Sequence, residues 1–208
     1  MKALETLHSQ SDKSAIISGG YAFWEDNCRP IRSIYNVFHF KCINNNFKYL
    51  KKSPFFGFPK PVLIQSTIFK SEFLNEVTTW KLGYKLDDFP LFYKIFSTDK
   101  YQARVIFQLE NEVLKYRRHS NNISNNQLSM LDLVISSYQI IDAENRALYM
   151  TETALYYLIQ AIRNGNFSGL RKYFSYIYIL STPLALLNMF IFLICARATG
   201  YYKPITRS

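Results

Sequence analysis

The chain has 208 residues, 49% hydrophobic and 19% charged, so it can bury a sizeable core and is neither a disordered tail nor a polytopic membrane protein. Seven glycines and seven prolines exclude collagen-like and linker-like chains, and Cys28, Cys42 and Cys195 lie too far apart for a disulfide framework or zinc finger. The net charge of +10 is unevenly placed: no acid follows Glu152, whereas Arg163, Arg171, Lys172, Arg197, Lys203 and Arg207 do. These bases flank an apolar run, which suits an anionic membrane surface better than nucleic acid, for which a compact basic patch or a recognised motif is expected. The scattered cysteines indicate a reducing compartment.

Met1–Ser14 is polar and has no apolar segment of the secretory type. Ala3, Leu4 and Leu7 recur at helical spacing, which predicts a helix over 2–10. Ala15–Trp24 reads as a buried strand, bounded by the turn-prone Glu25-Asp26-Asn27. Ile34, Val37, Phe38 and Cys42 suggest a helix within 31–50, and Pro54, Gly57, Pro59 and Pro61 punctuate a loop. Val62–Phe69 is strand-like, and Ser71–Val77 a short helix with Ser71 as its cap.

After a turn at Gly83, Asp87 is expected to cap a helix that carries Pro90 in its first turn and Leu91, Phe92, Ile95 and Phe96 on its buried face. Arg104–Leu109 and Val113–Tyr116 read as two short strands, and 117–126 as a polar loop. From Gln127 the pattern is helical: Leu128, Leu131, Val134, Ile135, Tyr138 and Ile141 share a face, and a second helix over 148–162 ends at Asn164-Gly165-Asn166. No internal repeat or low-complexity segment is visible.

Tyr173–Ala196 holds neither acid, base nor histidine over 24 residues, while about 20 apolar helical residues cross a bilayer core. Pro183 and Asn188 are compatible with a span, and the tyrosines at its start suit an interface. The same segment also fits a helix lying in the interface plane or packed on the domain.

Two clusters bear chemistry. Asp87-Asp88 at a helix start can cap free N–H groups, or one carboxylate can serve as a general base to an acceptor hydroxyl. Arg117, Arg118 and His119 on a loop suit a diphosphate, or form a solvated basic loop.

In order along the chain, strand Ala15–Trp24, the run Pro61–Lys70, Lys85-Leu86-Asp87-Asp88-Phe89-Pro90 and Arg117–Ser124 resemble the C-terminal half of a family-2 glycosyltransferase, over roughly residues 1–126. The resemblance implies an α/β fold, the C-terminal half of a GT-A domain, with residues 127–208 as a helical extension carrying the membrane-seeking segment 173–196. It implies inverting transfer of a sugar from a nucleotide-sugar donor to an acceptor hydroxyl, in cell-surface polysaccharide or glycolipid synthesis at the cytoplasmic face of the membrane. Asp88 then falls at the position of the family's catalytic base and Asp87 beside it, where Glu is commoner. Arg117, His119, Asn122 and Ser124 match the pattern Arg-x-His-x-x-Asn-x-Ser, near the donor's diphosphate, and Gln65 and Ser66 fall on the acceptor side.

The family's Asp-x-Asp motif, which holds a divalent metal (Mg or Mn) on the diphosphate, does not occur in this sequence. The donor-binding half is accordingly expected to be missing, and weak donor binding by this chain is expected with it. Two alternatives from other classes are a non-catalytic, membrane-associated module that keeps part of the fold, and a nucleic-acid binder acting through the basic tail.

Overall fold

The computed structural model describes residues 2–24, 30–33, 64–78, 88–118 and 127–198. Helix α1 (Lys2–Ser9) buries Ala3 and Leu7, four residues apart and so on one face, against Ile16. Leu4, expected on that face, is instead exposed. Strand β1 (Ala15–Trp24) comes next, and each of the other described strands pairs with it.

One edge of β1 is shared by two short antiparallel partners. β2 (Pro30–Ser33) pairs with Tyr21–Phe23, and β3 (Thr67–Phe69) pairs with Ala15–Ile17 at the opposite end. After β3 come helices α2 (Ser71–Val77), α3 (Asp88–Ser97) and α4 (Asp99–Gln102), then strand β4 (Val105–Arg118). β4 runs parallel to β1 along its other edge, from Ala15↔Val105 to Trp24↔Arg118. Ten residues of β1 thus face fourteen of β4, and the surplus is taken up by register shifts between Ser18 and Gly20.

Three expectations are corrected here. The two short strands of 104–116 are one strand, because a bulge interrupts the alternation without ending the ladder. Ile64–Ser66 is a 3₁₀ turn rather than part of a strand. Ser71 does not cap α2: Lys70 stands at the cap position, held extended because its N–H donates to Ser14 O at 2.8 Å as the sheet closes. Of 31–50, residues 31–33 belong to β2, and Ile34, Val37, Phe38 and Cys42, on which the helix is expected, lie outside the described residues.

The second half is helical: α5 (Gln127–Ser137), a 3₁₀ turn over Tyr138–Ile140, α6 (Ala143–Arg163), α7 (Leu170–Phe174), a 3₁₀ turn over Ile179–Ser181, and α8 (Thr182–Ala198). α6 ends as its sequence requires. Gly165 takes φ 65°, Asn166 N–H donates to Ala161 O at 2.8 Å and Gly165 N–H to Ile162 O at 3.0 Å, the paired bonds of a glycine helix stop. The chain is therefore mixed α/β, mostly helical with one small sheet.

Beside the small cluster under α1, the described residues form two larger cores, and α3 serves both. Leu91, Phe92, Ile95 and Phe96 pack with Ala15, Ile17, Phe73 and Val77 on the sheet side. Phe89 and Tyr93 project the other way, into the core built by Leu131, Tyr138, Tyr149 and Leu158 of the helical half. A helix apolar on two faces belongs between layers, which is where α3 lies.

The segment 173–196 is not one helix. It divides into α7, the 3₁₀ turn and the 17-residue α8, because Pro183 lacks an N–H and its ring opposes a carbonyl four residues back, so a helix can begin but not continue there. Among the described residues no helix is long and apolar enough to cross a membrane. At 1.5 Å per residue α8 is about 26 Å long, short of a core of about 30 Å, and its last turn contains Arg197.

Candidate functional site

Asp88 is the first residue of α3 and is half-buried. Its position is set by the side chains next in the helix. The Phe89 ring lies 4.9 Å from that of Tyr138 and 5.9 Å from that of Tyr93, while Phe92 meets Phe69 at 6.2 Å on the opposite side. Pro90, third in the helix, needs no N–H partner there and is buried. Clamped on both faces, the helix cannot rotate to re-aim its first carboxylate. A helix start presents partial positive charge, which favours a negative side chain at the position Asp88 holds.

The last turn of α3 meets the start of β4, where Phe96 stacks on Phe107 at 6.0 Å. Asp88 is eight residues from that contact, about 12 Å along the helix. Arg117, expected with Arg118 on a loop, is instead strand, because the ladder with β1 runs on to Trp24↔Arg118; it is exposed and sits next to last in β4, opposite Phe23 of β1. It is therefore at the carboxyl ends of two parallel strands, the side of an α/β sheet beyond which ligands collect.

Gln65 and Ser66 occupy the 3₁₀ turn that leads into β3; Gln65 is exposed and Ser66 buried. Thr67 lies opposite Ile17 and Arg117 opposite Phe23, so six residues of β1, roughly 20 Å, separate this turn from the arginine. The sheet does not bring these two groups into contact. Asp87, His119, Asn122 and Ser124 lie outside the described residues.

Among the described residues no group of three or more His, Cys, Asp or Glu is placed to hold a metal ion. The sequence holds no Asp-x-Asp either.

Sequence reasoning missed a cleft of about 470 Å³ on the far side of α3, lined by Tyr93, Lys94, Ser97, Ile140, Asp142 and Asn145. Asp88 does not line it. Burial, with the Asp142 carboxylate nearby, pushes the Tyr93 phenol above its usual 10.0, so it stays a hydrogen-bond donor at neutral pH. Lys94 reaches across to donate to the Glu76 carbonyl at 3.2 Å. The signal was present in Tyr93 and Lys94, which fall off the Leu91–Phe96 stripe, but only the packing of α3 on the start of α6 makes them a wall.

No protein-family model matches the chain, and neither a curated protein nor a solved structure matches it.

Proposed function

We propose that these residues form the base-bearing and acceptor-bearing part of an inverting glycosyltransferase, which moves a sugar from a nucleotide-sugar donor to an acceptor hydroxyl in cell-surface polysaccharide or glycolipid synthesis. The observation that carries the reading is that α3 begins at Asp88 and is gripped on opposite sides by Phe89 and Phe92. A carboxylate so held is pre-positioned, and positioning is the larger part of what such a displacement needs from a protein.

The acceptor oxygen bonds to the anomeric carbon as the carbon–phosphate oxygen bond breaks. The hydroxyl proton passes to Asp88 and the nucleoside diphosphate departs with the electron pair. An unperturbed Asp, with a pKa of about 3.9, is a weak base, so the proton moves late, when the new bond has already acidified it. Arg117 and His119 offset charge on the departing diphosphate and Asn122 orients it. Asp87, Gln65 and Ser66 shape the acceptor side.

The complete enzyme, with its donor-binding half, should release nucleoside diphosphate from one member of a nucleotide-sugar panel when Mg or Mn and a hydroxyl acceptor are present. Asp88→Asn should lower that release by about 100-fold or more while circular dichroism is unchanged. Equal turnover by the variant would remove Asp88 as the base.

A further inference from the structure

α8 presents two different faces. Ala185 and Met189 are buried, and Asn188 Nδ2 donates to Oε1 of the fully buried Glu152 at 2.6 Å, so this stripe is fixed against α6. The opposite arc, at helical positions Leu187, Phe190 and Ile194, stands 53%, 63% and 52% exposed. Just before it, the 3₁₀ turn holds Ile179 and Leu180 at 86% and 97% exposure. Large apolar side chains gathered this way mark an interaction surface rather than ordinary scatter.

Charge identifies what covers it. Exposed Arg171 and Phe174 are three residues apart in α7, and exposed Ile159 lies four before exposed Arg163 in α6, so each pair shares one helical face. Lys172 is already committed to Asp132. No acid follows Glu152 anywhere in the sequence. An exposed apolar run bounded along the chain by Arg171 and Arg197, in a stretch that holds no acid, complements an anionic lipid surface, with acyl chains receiving the apolar groups and headgroups the guanidinium groups.

We propose that the face formed by Ile179, Leu180 and the outer arc of α8 docks in the plane of an anionic bilayer, without crossing it. The Asn188–Glu152 bond orients the helix so that its outer arc enters the acyl region while α6 stays above. Residues 64–118 are not part of this face.

Flotation of the full chain with vesicles tests this, comparing phosphatidylcholine alone with phosphatidylcholine containing phosphatidylglycerol. Binding is expected only with the anionic lipid, weakening as salt rises. The double substitution Ile179→Asp with Leu180→Asp alters two solvent-exposed side chains, so it should keep the native melting temperature and lower vesicle affinity by about 100-fold. Equal binding of variant and parent, or no binding to anionic vesicles by a correctly folded parent, overturns the proposal. So does light scattering that shows a dimer which the double variant splits, since the face would then belong to a second copy of the chain.

Discussion

Glu76 shows how a solvent-facing carboxylate can join three elements. Its Oε1 accepts from Lys100 at 3.0 Å and its Oε2 from Arg104 at 2.8 Å, while Arg104 also donates to Ser14 Oγ at 3.0 Å and lies over the Phe73 ring at 4.5 Å. The hydrogen bond from Lys100, then that from Arg104, holds the Glu76 carboxyl below the usual 4.5. A depressed folded value means the contribution is complete above the unfolded value and is lost as pH falls through the folded one. Glu76→Gln should therefore lower the melting temperature slightly at pH 7, by an amount that shrinks as pH falls below the usual 4.5 and as salt is added. Thermal melts of both proteins across the acid range check this; a difference that does not change with pH would assign the effect to packing. Asn188 makes the contrasting case, since its partner Glu152 is buried. Asn188→Ala removes a bond to a carboxyl group that water cannot reach and should cost about 1–3 kcal/mol in urea unfolding.

Among the elements, legibility followed whether local rules and the sheet agreed. β1 was readable because Ala15, Ile16 and Ile17 are buried and paired on both edges, which leaves an apolar start to the strand. The start of α3 was readable because Asp88 and Pro90 satisfy helix-entry chemistry that no tertiary contact opposes. β4 was misread because a bulge destroys a two-residue period, and the Ser71 cap failed because sheet closure fixed Lys70 first. Helix ends are governed locally, and two glycines allow a quantitative test. Gly169 has φ 76°, and an added Cβ would lie 2.6 Å from Leu128 Cδ1; Gly165 has φ 65° with nothing within 4 Å. Gly165→Ala meets only the left-handed backbone penalty, about 1–2 kcal/mol. Gly169→Ala must also displace Leu128, which packs on the helical core, and should lose clearly more. Urea midpoints of the two variants decide it; equal losses would show that Leu128 yields freely.

At the scale of the whole molecule, the candidate site was legible as an ordered set of residue types but not as a place. Asp88, Arg117 and Ser66 come from a helix start, a strand end and a 3₁₀ turn, and no spacing in the sequence measures the distances between those. What joins the parts is α3, whose Leu91 and Phe92 complete one core and whose Phe89 and Tyr93 complete the other. A shared helix makes the two cores one cooperative unit, because neither can open without exposing a face of α3. Phe89 is the most direct probe: it is buried, and its ring reaches both Tyr138 and Tyr93. Phe89→Ala should cost about 3–5 kcal/mol. In native-state hydrogen exchange, protection should fall by a similar free energy at β1 residues 15–17, in the sheet, and at α6 residues 149–158, in the helical half. The β1 amides touch nothing that Phe89 touches in its own core, so their loss can only be transmitted through α3. Loss confined to the α6 amides would mean that the halves open independently, and that the grip on Asp88 comes from the sheet side alone.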